Sequence, residues 1–184
     1  MPQEALKPAL KQLKGRSELI GAEVGVYEGI NAGYCLKELD IKCMFLIDPY
    51  MAYKNYAPKT LGLKTNLDRA EKVAHAALGD YGHKIKWIKK KSAEAAEAFI
   101  DGSLDFIYID GNHSYDSVRE DIGLYYPKLK EGGLLAGHDY DYLDVKKAVD
   151  EWGRHWKLEL HMEDTGELRG GKKKYDWWTW RKMK

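Results

Sequence analysis

The chain has 184 residues, of which 44% are hydrophobic and 32% charged, and its formal net charge is +1. This length suits one domain with a sizeable core, and the composition is typical of a globular protein, not of a disordered or fibrous one. A net charge so close to zero argues against attraction of the whole molecule to nucleic acid or to an acidic membrane. The N-terminus lacks the apolar core of a signal peptide, and no later run approaches membrane-spanning length. We therefore expect a cytoplasmic protein with no membrane partner.

Short apolar runs, rich in β-branched and aromatic residues, alternate along the chain with longer stretches of helical periodicity. Before them, an amphipathic segment over Pro2–Lys14 is predicted to be a helix that forms part of a lid. Five strands are predicted, namely Ala22–Val26, Cys43–Ile47, Ile85–Ile88, Asp105–Ile109 and Leu134–Gly137. The predicted helices that follow them are Asn31–Leu39, Asn66–Leu78, Ser92–Ile100, Ser114–Lys130 and Asp144–Trp152. Ser92 and Ser114 are predicted N-caps, and Gly132-Gly133 is predicted to end the helix before the fifth strand.

The C-terminal part of the chain has a different character. Lys157–His161 and Trp177–Arg181 alternate like strands, and the polar segment Glu163–Lys174 between them is predicted to be a loop. Because this loop has no room for a crossover helix, the two strands must be antiparallel. The sequence therefore predicts an α/β fold, a doubly wound, Rossmann-like, mostly parallel seven-stranded sheet with a C-terminal antiparallel hairpin. We expect one domain over residues 1–184, with an N-terminal helix or lid (1–19), a cofactor-binding core (20–152) and the hairpin (153–184).

A nucleoside pocket is predicted at the C-terminal ends of the strands, where open sheets of this kind bind ligands. Gly25 and Gly29 flank the turn after the first strand, and Asp48 ends the second strand roughly twenty residues later, as a ribose-binding carboxylate would. The alternative is that these are ordinary turn glycines and a helix-capping aspartate. A dinucleotide fingerprint needs glycine where this chain has Tyr27, so NAD is disfavoured. A sulfonium cofactor has no pyrophosphate, and Glu23 adds a carboxylate suited to a cationic ligand.

Four motifs resemble those of class I S-adenosylmethionine-dependent methyltransferases, in particular a small O-methyltransferase-like subgroup (methyltransferase family 24-like). They are E-x-G-x-x-x-G at Glu23–Gly29, the acidic end of the second strand at Leu46–Pro49, D-F-x-x-I-D-G-x-H-x-Y at Asp105–Tyr115, and G-G-x-x-x-x-H-D-Y at Gly132–Tyr140. The likeness covers about Ile20 to Trp152. It implies S-adenosylmethionine as cofactor, with Glu23, Gly25 and Asp48 holding methionine and ribose and Ser92 near the adenine. The full candidate cofactor-binding set is Glu23, Gly25, Tyr27, Gly29, Asp48, Ser92 and Asp110.

A second group of polar residues follows the fourth and fifth strands, namely Asp110, His113, His138, Asp139 and Asp141. Each of them could instead cap a helix or belong to a turn, but crowded carboxylates repel each other unless a cation or a proton joins them. Methyl transfer to oxygen needs an aligned acceptor that loses a proton, and an imidazole titrates near working pH. His113 is therefore the preferred general base, and the candidate catalytic residues are His113, Asp110 and His138.

The resemblance also implies a divalent cation, Mg²⁺ or another, because carboxylates matching Asp110 and Asp139 bind Mg²⁺ in related O-methyltransferases. The residue that matches His113 is often the base in those enzymes. The candidate metal ligands here are Asp110, His138 and Asp139. His138 stands where those enzymes carry an oxygen ligand, which indicates either a softer metal or a metal-free site, and it could itself serve as the base.

The acceptor is predicted to be a hydroxyl on a small molecule or sugar, because no inserted recognition domain is evident. An aromatic loop after Asp48, comprising Tyr50, Met51, Tyr53, Tyr56 and Pro58, could close over the cofactor or the acceptor. The basic, tryptophan-containing tail from Arg169 to Lys184 leaves a nucleic-acid methyltransferase as an alternative, although packing of its tryptophans into the sheet is favoured. A non-catalytic nucleoside-binding module is a further alternative, and a homo-oligomeric state is left open.

Overall fold

The computed structural model describes residues 5–51 and 63–183. Its strands are β1 (Leu19–Val24), β2 (Ile41–Ile47), β3 (Ile85–Ile88), β4 (Leu104–Ile109), β5 (Leu129–Gly137), β6 (His161–Arg169) and β7 (Lys172–Trp180). Its α-helices are α1 (Pro8–Lys11), α2 (Ile30–Glu38), α3 (Leu63–Ala77), α4 (Ser92–Ala96), α5 (Tyr115–Tyr125) and α6 (Leu143–Trp156). None of the helices in the described part of the chain is long and apolar enough to cross a bilayer.

All seven strands form one sheet in the order β3-β2-β1-β4-β5-β7-β6. The first five strands pair in parallel, and β7 pairs antiparallel with both β5 and β6. The predicted Rossmann-like sheet with its C-terminal antiparallel hairpin is therefore confirmed. β1 lies between β2 and β4, which is where the strand order reverses and where a cleft opens in doubly wound sheets.

The strand register places several candidate residues side by side at the C-terminal edge of the sheet. Val24 pairs with Ile47 of β2 and with Ile109 of β4, and Ile109 pairs with Gly137 of β5. The next residue of each strand is consequently in the same row along the C-terminal edge. That row consists of Gly25, Asp48, Asp110 and His138.

Each face of the sheet is covered by an apolar layer. On one face the N-terminal segment contributes Leu6, Ala9, Leu10 and Leu13, each at most 1% exposed, to a core shared with α2. Of the helix predicted over Pro2–Lys14, only Pro8–Lys11 is helical among the described residues. The apolar side of this amphipathic segment is therefore buried, and the segment packs as part of the core.

The hairpin differs in its boundaries from the prediction. Helix α6 continues to Trp156, and Lys157 ends it in the left-handed conformation at φ 50°. Of the predicted strand Lys157–His161, only His161 is in a strand, as the first residue of β6. The segment Glu163–Lys174, predicted to be a loop, forms most of β6 and the start of β7, with Gly170-Gly171 as the tight turn. β6 is an edge strand, and charged residues on such a strand suppress pairing with other chains. The polar sequence of β6 is therefore similar to that of a loop, which is why the strand was not predicted.

Other predicted boundaries also need correction. Ser92 is the first residue of α4 and Lys91 is its N-cap, whereas Ser114 caps α5 as predicted by accepting a hydrogen bond from the Ser117 N–H. Helix α4 ends at Ala96 instead of Ile100, and α5 ends at Tyr125 instead of Lys130. Pro127 cannot continue a helix, and a 3₁₀ turn (Tyr126–Lys128) leads directly into β5. Gly132-Gly133 consequently lies within β5 and is not a helix stop.

The tryptophans of the tail are largely inside the protein. Trp177 is 1% and Trp178 7% exposed, and they belong to the apolar layers on opposite faces of the sheet. Trp180 is partly buried against the first of these layers. The expectation that the last strand packs its rings into the sheet is confirmed, and Trp177 and Trp178 are too buried for bases to stack on them.

Candidate active site

A cleft of about 1230 Å³ opens at the C-terminal edge of the sheet. One side is formed by the turn after β1 and the ends of β2 and β4, and the other by the N-terminal segment and the hairpin. Of the predicted cofactor-binding residues, all but Gly29 line this cleft, namely Glu23, Gly25, Tyr27, Asp48, Ser92 and Asp110. The predicted catalytic residues His113 and His138 line it as well. Of the aromatic loop, Tyr53, Tyr56 and Pro58 lie outside the described residues, and Met51 lines the cleft.

The turn after β1 depends on Gly25. Its φ of +87° is in the left-handed region, and a Cβ atom built there would lie 2.1 Å from the backbone oxygen of Asp110. Only glycine lets the ends of β1 and β4 approach this closely. Gly29 has a different role: it is the left-handed N-cap of α2, and a Cβ there would lie 3.0 Å from a Leu78 side-chain atom. Gly29 is therefore placed for packing between helices, away from the cleft.

Asp48 holds this turn in shape. Its Oδ2 accepts hydrogen bonds from the N–H groups of Val26 and Tyr27 at 2.9 and 3.0 Å, and its Oδ1 accepts one from the Tyr50 N–H at 2.8 Å. A carboxylate has about four lone-pair sites, so these bonds leave room for a further donor. The alternative role, a carboxylate that organises the backbone, is therefore present here and is compatible with ribose binding.

Glu23 is a buried carboxylate in the wall of the cleft, with 2% of its surface exposed. Its Oε1 accepts a hydrogen bond from the Asn31 side-chain amide at 3.0 Å. Its Oε2 has no hydrogen-bond partner among the residues that the structure describes. Burial raises the pKa of Glu23 to about 8. A buried oxygen without a donor is a costly feature that a cationic ligand would relieve, and an ammonium group fits it.

Asp121 is a cleft residue that the sequence analysis missed. It lies on α5, is 3% exposed, and its Oδ1 lacks a partner within the described structure. Burial raises its pKa to about 7, against the opposing effect of a hydrogen bond with Ser92. The signal was available in the sequence, because Val118, Asp121, Ile122 and Tyr125 follow helical spacing and all are buried. A carboxylate on the apolar face of an amphipathic helix indicates a specific polar role.

Three predicted residues converge in the same cleft: Asp110, His113 and Asp139. The His113 Nε2 atom lies 2.8 Å from Asp139 Oδ2 and 3.5 Å from Asp110 Oδ1. Burial alone would lower the pKa of His113, but these two carboxylates raise it to about 9. Asp139 is 1% exposed and has a φ of 56°, a strained conformation of the kind that clusters at functional sites. One ligand atom from each of the three lies within 4.8 Å of the others, a spacing that suits a metal ion.

His138 lies on the other side of Asp139. Its Nδ1 is 3.1 Å from Asp139 Oδ1, and its Nε2 is 3.1 Å from the Lys7 ammonium nitrogen. An ammonium group only donates hydrogen bonds, so Nε2 accepts from Lys7. Asp139 thus contacts both imidazoles, but the set whose ligand atoms lie close enough together for one metal ion is Asp110, His113 and Asp139, without His138. Asp141, also considered from the sequence, is exposed and does not line the cleft.

The wall beyond Asp139 is charged and was not predicted. Lys7 forms an ion pair with Glu167, and Lys174 lies 3.5 Å from Glu167 and 3.3 Å from Asp139. Arg169 lies 3.4 Å from Asp139. Up to 160 residues separate these partners along the chain, so no local pattern could have revealed them.

Comparison with known proteins agrees with this geometry. Residues 22–140, more than half of the chain, match the model of a family described as a methyltransferase domain. Uncharacterized protein R132 of Acanthamoeba polyphaga mimivirus is 29% identical over 132 residues, which cover 69% of this chain and 54% of that protein. The chain therefore spans about half the length of this curated relative.

Solved structures show the same fold. An rRNA methylase from Streptococcus thermophilus superimposes with a TM-score of 0.67 at 14% identity, covering 95% of this chain and 93% of that one. An S-adenosylmethionine-dependent O-methyltransferase from Thermotoga maritima gives 0.62 at 11% identity, covering 95% and 63%. The family match, taken with the cleft, supports the enzymatic interpretation over a non-catalytic module. The chain belongs to the methyltransferase domain family.

Proposed function

We propose that this methyltransferase acts on a hydroxyl of a small molecule or sugar, with His113 as the general base. The observation that carries the proposal is the position of His113 in the cofactor cleft, with its Nε2 between the carboxylates of Asp110 and Asp139. Its ring also stacks on Tyr142, with centroids 5.3 Å apart. A histidine held on several sides is oriented for proton transfer. The buried tail tryptophans do not favour a nucleic-acid acceptor.

S-adenosylmethionine would supply the methyl group. We propose that the unpartnered Glu23 oxygen accepts from its ammonium group and that Asp48 accepts from the ribose hydroxyls. Gly25 and Tyr27 would offer backbone at the turn, and Ser92 with Asp121 would bind the adenine. Asp110 lies between the proposed cofactor-binding residues and the proposed base. Its backbone contacts the Gly25 turn, and its side chain contacts His113.

The raised pKa of His113 has a direct consequence for catalysis. With a pKa of about 9 the imidazole is protonated at neutral pH in the ligand-free protein and cannot accept a proton. The basic form grows as pH rises toward 9, so the rate should rise over the same range. Asp139 would hold the ring in place and stabilise its charged form, as the orienting carboxylate does in a catalytic triad.

Asp110, His113 and Asp139 also form a suitable donor set for a divalent cation. Such an ion would polarise the acceptor hydroxyl and favour its ionisation. The two carboxylates that now raise the pKa of His113 would then share their charge with the ion. We therefore propose divalent-cation assistance as an alternative to general-base catalysis, in which His113 would take the ligand position that the sequence analysis gave to His138. The hydroxyl proton would then leave to solvent from the cation-polarised acceptor, and not to His113.

The test compares His113→Ala with His155→Ala, a control at an exposed position outside the cleft. Formation of S-adenosylhomocysteine is followed with catechol, 3,4-dihydroxybenzoate and methyl glucoside, from pH 6 to 10, before and after EDTA treatment. Loss of a general base should lower kcat about 10²- to 10⁴-fold and remove the rise toward pH 9, while the control stays unchanged. A loss of rate with EDTA that Mg²⁺ or Mn²⁺ restores would support the cation. Full activity of His113→Ala would refute the assignment.

A further inference from the structure

Three basic side chains form a patch in the cleft beside Asp139, which we call the cationic wall: Lys7, Arg169 and Lys174. They come from the N-terminal segment, the end of β6 and the start of β7. The Lys7 and Lys174 side chains are only 15% and 12% exposed, whereas Arg169 is 44% exposed. Ammonium groups are seldom withdrawn this far from water unless anions compensate them.

The described carboxylates of the cleft compensate this wall only in part. Glu167 is shared by Lys7 and Lys174, and Asp139 is shared by Lys174, Arg169 and His113. Three permanent cations therefore share two carboxylates, and both carboxylates also face an imidazole, since His138 lies 3.1 Å from Asp139 and 3.6 Å from Glu167. Asp176 lies beneath His138, is fully buried, and accepts hydrogen bonds from the Tyr108 hydroxyl and the Ala9 N–H. It does not line the cleft, although its charge acts on Lys7. The capacity for an additional anion therefore lies mainly at Arg169, the most exposed cation of the wall.

Arg169 is positioned for such an anion. Its guanidinium lies over the Tyr142 ring, 4.7 Å from the centroid, and the same ring stacks on His113. One terminal nitrogen of this guanidinium donates to the Tyr142 hydroxyl and the other to Asp139 Oδ2 at 3.4 Å. A guanidinium has five N–H donors, so donors remain for the oxygens of a carboxylate or phosphate. Because Arg169 and His113 both contact Asp139 Oδ2, at 3.4 and 2.8 Å, an anion on Arg169 would be close to the proposed base.

We propose that the acceptor carries an anionic oxygen group, a carboxylate or phosphate, bound by Lys7, Arg169 and Lys174. The hydroxyl to be methylated would then lie at His113, a short distance away on the same molecule. The acceptor class is thus a hydroxylated acid or a phosphorylated hydroxy compound, in place of a neutral sugar or phenol. This inference rests on the proposed O-methyltransferase function and narrows its substrate.

The test is an NMR titration of the ¹⁵N-labelled full chain, saturated with S-adenosylhomocysteine, at constant ionic strength. The probes are acetate, inorganic phosphate and acetamide, the last being a neutral counterpart of acetate. Saturable shifts of the Arg169 and Lys174 amides are expected with acetate or phosphate and not with acetamide, and the tighter anion identifies the group. Removing a charge-assisted bond with Lys174→Met should weaken anion binding about tenfold. The exposed Lys172→Met, two residues away, should leave it unchanged.

The inference is overturned if neither anion shifts these amides, if acetamide shifts them equally, or if Lys172→Met weakens binding as much as Lys174→Met. Lys174→Arg keeps the charge and should retain binding within a few-fold, and Arg169→Gln at a more exposed position provides a second variant should Lys174→Met fail to fold. The amides of Val26 and Tyr27 report cofactor binding in the same spectra. If they do not respond to S-adenosylhomocysteine, the proposed function fails. If they respond and the anions do not bind, only the acceptor class fails.

Discussion

Among single residues, Glu23 links ligand binding most directly to stability. Burial raises its pKa from 4.5 to about 8, so the ligand-free protein holds a proton there at neutral pH. Between pH 4.5 and 8 the folded state binds this proton and the unfolded state does not, so stability falls as pH rises through that window. A ligand ammonium favours the ionised carboxylate. Cofactor binding at pH 7 should therefore release a proton.

The Glu23→Gln variant tests this account. Because it removes the buried ionisable group, the free energy of unfolding at pH 8 should rise by about 1–3 kcal/mol, with little change at pH 4.5. Its affinity for S-adenosylhomocysteine should fall about tenfold or more, since the charged partner is lost. Urea unfolding at both pH values and calorimetry measure the two effects. The exposed Glu97→Gln is the control, and a Glu23→Gln variant that binds as tightly as the wild type would contradict the role of this carboxylate.

At the scale of elements, the parallel strands were predictable and the hairpin boundaries were not. β1 and β4 are short, mostly apolar runs with one partly buried residue each, and the second half of β5 is fully buried. β2 and β3 are partly exposed but keep the β-branched and aromatic residues typical of strands. β6 carries charged and polar residues because it is an edge strand with an exposed surface, and its composition matches that of a loop. The early end of α5 at Tyr125 was indicated by Pro127, a signal that the continuing helical periodicity concealed.

The turn between β1 and α2 depends on a glycine for two separate reasons, and paired variants separate them. Gly25→Ala meets both a left-handed φ of +87° and a Cβ position 2.1 Å from the Asp110 oxygen. Gly102→Ala meets a left-handed φ of +71° with no atom within 4 Å. Gly102→Ala should cost about 1 kcal/mol of unfolding free energy, and Gly25→Ala about 3 kcal/mol or more. Thermal and urea unfolding check the difference. Equal losses would show that the close approach of β1 and β4 is not required.

At the scale of the whole molecule, topology explains which parts of the site were predictable. Asp110, His113 and Asp139 follow neighbouring parallel strands, so their convergence could be predicted from strand order. The direction of each side chain could not, because Asp139 separates His113 from His138 and Lys7 engages the His138 ring. Lys7, Glu167 and Lys174 meet only after the N-terminal segment and the hairpin pack together. Contacts across that much sequence arise from tertiary packing and leave no periodic signal.

The proposed chemistry requires that the cleft beside Glu23 and Asp48 binds an adenosyl sulfonium cofactor and not a dinucleotide. Calorimetric titration of the purified chain with S-adenosylhomocysteine and, separately, with NAD tests it most directly. We predict saturable one-to-one binding of S-adenosylhomocysteine and no binding of NAD, because Tyr27 stands where pyrophosphate would need a glycine. Binding of NAD, or no heat with S-adenosylhomocysteine, would contradict the account.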